Sequence, residues 1–413
     1  MKFLTIDDFD FRNRVALVRV DFNSPIDLHT KRILEDVRIR AHGETTIRDL
    51  IRKGAKVVVL AHQGRPGDAD FISLEQHASS LARILGRPVR YVDDLCGEEA
   101  KEAIRRLKSG EIIVLKNVRS SPDEQNKGTP EEHAKSQLVQ SLAPLAHVFV
   151  NDAFAAAHRA HVSVIGFTAV LPSVTGRIME KELRALTKAL ESPEKPCVYV
   201  IGGAKADDAF RISKYVLDKG IADNVLTGGI AGHLFLTAKG VNLGGPNVRF
   251  LEQKELLGFV PSIRELLAGH PHRIRVPLDV AVNMNGKRKE VAVKDLPTSC
   301  PICDIGDMTI REYQRILKEA KSIVISGPMG VFENTEFMKG TEMVLDAIAT
   351  SKAFSLVGGG HTVAAVEQLG LEKKIGYVST AGGALMEFLM GEKLPGVTAL
   401  EAAAKRVCQS TSL

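Results

Sequence analysis

The sequence contains no tryptophan, and its aromatic fraction is only 5%. Proteins that bind single-stranded nucleic acid stack the bases on aromatic side chains, so this scarcity disfavours that class. The formal net charge of +5 over 413 residues is too small to favour a polyanionic partner unless it is concentrated on one face. We therefore expect small-molecule partners and no nucleic acid.

Cysteine is also sparse, with five residues at Cys96, Cys197, Cys300, Cys303 and Cys408. An odd, scattered set in a chain of this length indicates reduced thiols in an intracellular protein. Cys300 and Cys303 form one CxxC pair without a second pair at zinc spacing. Such a pair is commonly a turn with two small buried thiols, and a redox or metal role is the alternative.

Long apolar runs are missing as well. The longest stretch without charged residues or histidine, 162–176, contains Gly166 and Pro172 and is too short to cross a bilayer. Asp7, Asp8 and Asp10 interrupt the N-terminal region where a signal peptide needs its apolar core. We therefore expect a cytoplasmic protein that does not enter the membrane.

Short β-branched runs alternate with amphipathic stretches along almost the whole chain. The predicted strands are 15–20, 56–61, 112–115, 147–150, 198–201, 224–227, 274–280, 322–326, 354–357 and 376–378. The clearest predicted helices are 74–85, 131–142, 208–219, 251–267 and 309–320. This alternation is typical of parallel sheets covered by helices on both faces. Segment 283–303 predicts a hairpin that turns at Asn285-Gly286.

A helix predicted over 177–190 divides the chain into similar halves, and its apolar and charged positions would let it rest on two partners. The fold class is therefore α/β, with two doubly wound parallel-sheet domains of similar size joined by a hinge helix. The predicted boundaries are 1–172 for the first domain, 173–192 for the hinge helix, 193–393 for the second domain and 394–413 for a C-terminal segment.

In the first half, cationic and imidazole residues repeatedly follow predicted strands, at His62, Arg65, Arg119 and Arg159, and Arg19 lies near the end of the predicted strand 15–20. Ligands of open α/β sheets bind outside the carboxyl ends of the strands. The planar guanidinium of arginine suits phosphate and carboxylate. A single such arginine is usually a solvated surface residue, but the repeated placement predicts an anion site.

In the second half, glycine clusters follow the strands, at Gly202-Gly203, Gly228-Gly229, Gly327-Pro328-Met329-Gly330, Gly358-Gly359-Gly360 and Gly382-Gly383. Such loops allow close backbone approach and expose helix N-terminal amides to phosphate. Neither a G-x-x-x-x-G-K-[ST] loop nor a G-x-G-x-x-G fingerprint occurs. An anion site and a nucleotide-sized phosphate site on separate domains predict phosphoryl transfer, with domain closure to exclude water.

Six motifs, in order along the chain, resemble phosphoglycerate kinases. They are Val18-Arg19-Val20-Asp21-Phe22-Asn23, His62-Gln63-Gly64-Arg65-Pro66, Asn151-Asp152-Ala153-Phe154 with His158-Arg159-Ala160-His161, Gly202-Gly203-Ala204-Lys205, Gly327-Pro328-Met329-Gly330-Val331-Phe332-Glu333 and Ser379-Thr380-Ala381-Gly382-Gly383. The resemblance implies an enzyme, a phosphotransferase with a carboxyl group as acceptor. It would transfer a phosphoryl group reversibly between ATP and 3-phospho-D-glycerate, giving ADP and 1,3-bisphosphoglycerate, in glycolysis or gluconeogenesis.

The resemblance places the phosphoglycerate site in domain 1–172 and implies that 394–413 returns to that domain. The implied substrate-binding residues are Asp21, Phe22, Asn23, Arg38, His62, Gln63, Gly64, Arg65, Arg119 and Arg159. Arg38 is also implied as a catalytic residue that neutralises charge during transfer. Arg40 is a competing candidate for that role.

For the nucleotide domain, 193–393, the implied ATP-binding residues are Gly202, Gly203, Lys205, Gly228, Gly229, Glu333, Gly359, Gly360, His361 and Thr362. Lys205 is the second implied catalytic residue. His361 stands where the family commonly has an aspartate that helps hold Mg²⁺, and this change suggests an archaeal-type branch. Ala209 stands where the family commonly has a second lysine.

We still expect Mg²⁺ to be required, with Asp207 and Asp208 as candidates for its missing oxygen ligand. Capping of the helix that they begin is the alternative role of these aspartates. Two alternatives to the kinase remain. A dehydrogenase or ligase would need its own fingerprint, whereas a catalytically altered nucleotide- or anion-binding relative is compatible with the changes at His361 and Ala209. The choice between monomer and homodimer cannot be made from the sequence.

Overall fold

The computed structural model describes residues 2–410, without the side chain of Ser410. Within that range the chain forms two compact units. Unit 1 contains the residues up to Arg184 together with those from Lys393 onward, and unit 2 is Ala185–Glu392.

Unit 1 is built on a parallel sheet of short apolar strands. In chain order these are β1 (Val15–Arg19), β2 (Lys56–Leu60), β3 (Arg90–Val92), β4 (Ile112–Leu115), β5 (Val148–Asn151) and β6 (Ser173–Thr175). Across the sheet the order is β3-β4-β2-β1-β5-β6. Successive side chains of a strand point to opposite faces. Ala16 and Val18 of β1 therefore enter one core, and Val15 and Leu17 enter the other.

Helices cover both faces of this sheet. They are α1 (Val37–His42), α2 (Arg48–Arg52), α3 (Glu75–Leu85), α4 (Glu98–Arg105), α5 (Pro130–His133), α6 (Gln137–Leu142), α7 (Val162–Ile165) and α8 (Arg177–Leu186). Single 3₁₀ turns lie at Ile6–Asp8, Val118–Ser120, Ala143–Leu145, Phe154–Ala156 and Gly166–Ala169, and a π-helical turn at Gly43–Ile47 joins α1 to α2. Ile39 and Leu81 pack on one face, and Ile104 and Leu138 on the other.

Unit 2 has a parallel sheet and a smaller antiparallel sheet. The strands are β7 (Cys197–Ile201), β8 (Asn224–Thr227), β9 (Ile274–Arg275), β10 (Asp279–Met284), β11 (Lys287–Ala292), β12 (Ile302–Ile305), β13 (Ser322–Ser326), β14 (Phe354–Gly358) and β15 (Tyr377–Val378). The parallel order is β15-β14-β13-β7-β8-β9, and the antiparallel order is β11-β10-β12. Asn285 and Gly286 have positive φ at the β10–β11 turn, which confirms the predicted hairpin.

The remaining helices follow the strands of unit 2. They are α9 (Ala206–Asp218), α10 (Gly229–Ala238), α11 (Gly245–Gln253), α12 (Val260–Gly269), α13 (Asp307–Glu319), α14 (Lys339–Thr350), α15 (Gly360–Gln368) and α16 (Gly383–Leu389), with 3₁₀ turns at Leu257–Phe259, Val293–Asp295 and Glu372–Lys374. The last helix, α17 (Pro395–Ser410), belongs to unit 1, where the Gly396 amide donates to the Ala157 carbonyl at 2.8 Å. No helix within residues 2–410 is long and apolar enough to cross a membrane.

The predicted α/β class with two doubly wound parallel sheets is confirmed. The single strand predicted over 274–280 is wrong, because Pro277 cannot donate to a ladder and the segment divides into β9 and β10. The helices predicted over 131–142 and 251–267 are each two helices. The first breaks before α6, whose N-cap is Ser136, and the second breaks near Glu255, which has a positive φ.

The chain leaves unit 1 inside α8, and a π-helical turn over Thr187–Glu191 follows this helix. The hinge role of 173–192 stays a prediction. The CxxC thiols of Cys300 and Cys303 are both free and half-buried, so they are more accessible than the expected pair of buried thiols.

Candidate active site

In unit 1, cationic and imidazole side chains from neighbouring strands meet at the carboxyl edge of the sheet. Arg19, the last residue of β1, is only 1% exposed. Its Nη2 lies 3.2 Å from Nδ1 of His62, and its Nε donates to Oγ of Ser163 at 2.8 Å. Arg119, beyond β4, donates to the carbonyl oxygen of Gly64. The predicted residues His62, Gly64 and Arg119 therefore lie close together. We use the name cationic cluster for Arg19, His62, Gly64, Arg65, Arg119 and Arg159.

Burial and mutual repulsion set the charges of the cationic cluster. Burial, followed by the charges of Arg19 and Arg119, holds the pKa of His62 well below its usual value. Burial, followed by the charge of Arg159, lowers the pKa of Arg119 to about 10. The fully buried Glu124 offsets part of this positive charge. Near neutral pH the arginines are charged and His62 is neutral, an arrangement that suits a multiply charged anion.

The second predicted group follows β1 directly. The Asp21 carboxylate pairs with the guanidinium of Arg38, whose side chain is 42% exposed, and accepts from the Asn23 amide at 3.1 Å. Oδ1 of Asn23 in turn accepts from the Gly64 amide at 2.9 Å, so this group adjoins the cationic cluster. Arg38 lies in the first turn of α1. Arg40, the competing candidate, pairs with carboxylates four residues away on either side.

Phe22 and Gln63, also predicted for substrate binding, have fully buried side chains. The Phe22 ring lies beside the imidazoles of His42 and His77. Gln63 accepts from the Ser24 amide at 2.8 Å and donates to the Ser24 carbonyl at 3.1 Å. These two side chains form the floor of the site, and only their backbone can reach a ligand.

Two more predicted residues complete the cationic cluster. Arg65 is exposed and follows Gly64 in the loop after β2. Arg159 is half-buried, and its Nε lies 3.1 Å from Nε2 of His158. Both contribute to the repulsion that lowers the pKa of Arg119. Their charges therefore belong to the same electrostatic environment as that of Arg119.

Unit 2 contains a cavity of about 880 Å³ at the carboxyl edge of its parallel sheet. The predicted nucleotide residues that line it are Gly202, Gly203, Lys205, Gly229, Glu333, Gly359, Gly360, His361 and Thr362. Gly228 lies behind this lining, where a Cβ would meet the Met329 side chain. Ile230, Phe250 and Pro277 form an apolar part of the wall. Apolar walls with a few polar groups are typical of small-molecule sites.

The loops after β7 and β8 each meet the loop after β13 backbone to backbone beneath the cavity. The Gly203 amide donates to the Pro328 carbonyl at 2.7 Å, and the Gly229 amide donates to the Met329 carbonyl at 2.8 Å. Gly327 has a φ of 86°, and a Cβ there would overlap the neighbouring loop. The amides of Gly203 and Gly229 are therefore engaged by the protein, and these glycines serve the cavity by allowing close packing.

The first turn of α15 offers unengaged amides instead. Gly359 precedes this helix with a φ of 84°, and within residues 2–410 the amides of Gly360, His361 and Thr362 have no hydrogen-bond acceptor. Such a helix start attracts phosphate. The His361 side chain is 77% exposed, and its Nδ1 lies 3.3 Å from Oε1 of Glu333.

The start of α9 brings a lysine and two aspartates near the same cavity. Lys205 is the exposed N-cap residue of this helix and makes no side-chain capping bond. Asp208 lines the cavity, whereas Asp207 does not. Burial, followed by the charge of Asp207, raises the pKa of Asp208. The described residues contain no group of three or more His, Cys, Asp or Glu side chains that could hold a metal ion alone.

Comparison with known proteins identifies the family. The family model described as Phosphoglycerate kinase matches residues 6–392. The chain belongs to the phosphoglycerate kinase family. It is 49% identical over 400 residues to a phosphoglycerate kinase of Methanothermobacter thermautotrophicus, covering 97% of both chains. It is 47% identical over 412 residues to one of Methanosarcina mazei, covering 100% of this chain and 98% of the relative.

Solved phosphoglycerate kinases have the same fold. The crystal structure from Pyrococcus horikoshii OT3 has a TM-score of 0.86 at 42% identity, covering 97% of this chain and 99% of that one. The structure from Coxiella burnetii has a TM-score of 0.85 at 32% identity, covering 98% and 100%. The predicted kinase function is confirmed, and the catalytically altered relative is not favoured. The archaeal-type branch stays a prediction.

Several residues that shape this kinase site were not among the predicted site residues. Arg19 was part of the predicted anion site but was not assigned to the substrate, although a charged residue inside a buried strand needs a partner. Glu124 holds the Ser163 amide at 2.8 Å and hydroxyl at 2.6 Å, and no local pattern marks it. Burial, followed by the charge of Arg19, lowers the pKa of His161 to about 3. His42 also has no local sign, although its partner Asp21 was predicted and its partner Asp152 lies in one of the quoted motifs.

Proposed function

We propose that this kinase transfers a phosphoryl group reversibly between ATP and the carboxylate of 3-phospho-D-glycerate, forming ADP and 1,3-bisphosphoglycerate. The observation that carries the proposal is the cationic cluster of unit 1, in which the buried Arg19 and Arg119 act on a neutral His62. Such a cluster suits the phosphate of the acid, while the cavity of unit 2 has the size and the helix start that a nucleotide requires.

The phosphate of the acid would bind to Arg65, Arg119 and Arg159 together with His62. Because Nδ1 of His62 faces a guanidinium N–H of Arg19, it must be the accepting nitrogen. Nε2 then carries the proton and can donate to a phosphate oxygen. Asp21 and Asn23 would hold the hydroxyl and carboxylate region, a role supported by the resemblance.

Arg38 would stabilise the phosphoryl group as it moves. In phosphoryl transfer the three equatorial oxygens carry the charge, so catalysis consists of positioning and charge stabilisation. Arg38 is half-exposed and, among residues 2–410, pairs with the carboxylate of Asp21 alone, so it can turn towards an incoming phosphate. Lys205 would assist from the nucleotide side.

In unit 2, the amides of Gly360, His361 and Thr362 would bind phosphate oxygens of the nucleotide. The apolar wall at Ile230 and Phe250 would receive the base. The resemblance supports a ribose contact for Glu333. His361 can contact phosphate, because its imidazole is exposed at the helix start.

Mg²⁺ fits this donor set only together with the nucleotide. Asp208 is the carboxylate of the α9 start that lines the cavity, and Mg²⁺ commonly combines one or two carboxylates with substrate phosphates. When bound, the ion would reduce the charge of the phosphates. Asp208 is our candidate ligand, directly or through water. Closure of the two units and a cytoplasmic location stay predictions.

A coupled assay tests the proposed reaction. The product 1,3-bisphosphoglycerate is reduced by an excess of glyceraldehyde-3-phosphate dehydrogenase, and NADH oxidation reports the rate. We expect turnover that requires ATP, Mg²⁺ and 3-phosphoglycerate together. D-Glycerate, which lacks the phosphate that the cationic cluster would bind, serves as the matched control and should give no turnover. Equal rates with the two acids, or none with 3-phosphoglycerate, would overturn the proposal.

A further inference from the structure

A buried histidine lies directly behind the proposed phosphoglycerate site. His42 is the last residue of α1 and is only 4% exposed. Its Nε2 lies 3.2 Å from the backbone nitrogen of Asp21, and its Nδ1 lies 2.6 Å from Oδ2 of Asp152. Asp152 is fully buried and comes from the segment that follows β5. One imidazole therefore joins two segments that are distant in sequence.

The partners of His42 determine which nitrogen carries its proton. The backbone amide of Asp21 can only donate, so Nε2 must accept. The carboxylate of Asp152 accepts, so Nδ1 must carry the proton. The geometry thus selects a neutral imidazole protonated at Nδ1, and both of its nitrogens are satisfied.

Asp152 is itself fixed from the opposite side. Its Oδ1 accepts from the amides of Ile178 at 2.8 Å and Met179 at 3.1 Å, in the first turn of α8. The positive end of a helix favours a carboxylate anion at this position. Gly176 leaves room for the carboxylate, because a Cβ there would overlap it. Asp152 is thus a rigid acceptor for His42.

We propose that the Asp152–His42 pair positions Asp21 for binding of the acid substrate. This inference rests on the proposed function, in which Asp21 and its partners hold the hydroxyl and carboxylate region. His42 is a positioning residue, since it is buried and both of its ring nitrogens are engaged within the protein. It fixes the backbone of Asp21, whose carboxylate orients Arg38 and accepts from the Asn23 amide.

Loss of the accepting nitrogen would leave the Asp21 amide buried without a partner. Asp21 is itself buried, and an unsatisfied buried amide is costly enough to make the backbone shift towards another acceptor. The carboxylate would move with the backbone, and the positions of Arg38 and Asn23 would change together. The expected consequence is weaker binding of the acid, with unaltered binding of the nucleotide in unit 2.

Asp152→Asn is the sharpest test, because it keeps the shape of the side chain. The amide can still accept from Ile178 and Met179 through its oxygen, but its NH₂ group then faces Nδ1 of His42. The imidazole must then accept at Nδ1 and carry its proton on Nε2. This N–H group would face the N–H of Asp21, and the hydrogen bond between them would be lost. We expect ¹⁵N NMR of the imidazole to show the Nδ1–H tautomer in the wild type and its loss in Asp152→Asn.

Two substitutions of His42 separate its two contacts. His42→Gln can present an oxygen near the position of Nε2 and so keep the Asp21 contact, whereas His42→Asn can reach only Asp152. We expect the KM for 3-phosphoglycerate to rise about tenfold in His42→Asn and in Asp152→Asn, the effect of one lost buried hydrogen bond. It should rise less than about threefold in His42→Gln. The KM for ATP should remain unchanged.

His147→Gln is the matched control for a histidine that accepts from a backbone amide. His147 lies in the same unit, where its Nδ1 accepts from the Val15 amide at 3.1 Å, at the amino end of β1 and so at the edge of the sheet opposite to the site. We expect its KM for 3-phosphoglycerate to be unaltered.

Three outcomes would overturn the inference: an Nε2–H tautomer in the wild type, equal KM values in His42→Asn and His42→Gln, or a parallel rise of both KM values. Absence of wild-type turnover would instead refute the proposed function, and the tautomer measurement would still test the geometry.

Discussion

Arg38 and Arg40 lie two residues apart on α1 and pair with different carboxylates. Arg38 pairs with the buried Asp21, and Arg40 pairs with surface carboxylates. We predict that Arg38→Ala lowers kcat by roughly 10²–10³, because it removes charge stabilisation that matters most in the transition state. Arg40→Ala, the matched control, should change kcat little. Steady-state kinetics decide the matter: a large rise in KM at constant kcat would assign Arg38 to substrate binding alone.

Asp208 and Asp207 form a second pair of neighbours with different surroundings, since only Asp208 lines the nucleotide cavity. We predict that Asp208→Asn raises the Mg²⁺ concentration required for half-maximal activity several-fold, because a carboxylate oxygen is a far better Mg²⁺ ligand than an amide. Asp207→Asn should leave it unchanged. Magnesium titrations of both variants at fixed ATP provide the measurement. Identical curves would mean that ATP and water alone hold the ion.

For single residues, the sequence predicts those that follow strands and misses those that act through partners distant in the chain. His62 and Arg119 were predictable because they come directly after apolar runs, and parallel strands bring their carboxyl ends together. The contact of His42 with Asp152 spans 110 positions and has no local pattern. Whether a side chain faces the ligand or the floor depends on packing, as the burial of Gln63 shows.

At the level of secondary-structure elements, the loops after β7 and β13 pack so closely that each limits the conformation of the other. Gly327 has a positive φ, and a Cβ there would overlap the backbone of Gly202. We predict that Gly327→Ala separates these loops and lowers kcat/KM for ATP at least tenfold, because a 1 Å displacement of a positioning element can cost about 100-fold in rate. Gly258→Ala, in the same unit, has open space around its Cβ and should be neutral. Kinetics that match those of the wild type in Gly327→Ala would refute the packing argument.

Central strands are predicted more accurately from the sequence than edge strands, although the edge strand β15 lies within the predicted 376–378. The interior strands β4, β8 and β13 agree in both bounds with the predicted 112–115, 224–227 and 322–326. Their short apolar segments are recognisable because both faces of each strand are buried. The edge strands β3 and β6 have three residues each and were missed. An edge strand pairs on one side only and needs little apolar sequence to form.

For the whole molecule, buried imidazoles predict a loss of stability in acid. Burial lowers the pKa of His77 in unit 1 and of His233 in unit 2 to about 4 each. The unfolded chain binds a proton at each of them below about pH 6.5, whereas the folded chain does not until about pH 4. The free energy of unfolding should therefore fall as the pH falls through this window. Each histidine contributes roughly 2 kcal/mol between pH 7.5 and 5.

Urea unfolding at these two pH values measures this effect. His77→Leu should reduce the pH dependence. His29→Gln, at an exposed position, should leave it unchanged. A pH dependence that is the same in all three proteins would show that these groups titrate alike in the folded and unfolded chains.

The central claim is that an acid bound by the cationic cluster of unit 1 receives the γ-phosphoryl group of a nucleotide bound in unit 2. The most direct measurement mixes the protein with [γ-³²P]ATP, Mg²⁺ and 3-phosphoglycerate, quenches the mixture after short times and locates the label. We predict that the label appears in an acyl phosphate of the acid, which hydroxylamine cleaves, and that Arg38→Ala slows this appearance without abolishing the binding of either ligand. Label found only in inorganic phosphate, or remaining entirely in ATP, would contradict the account.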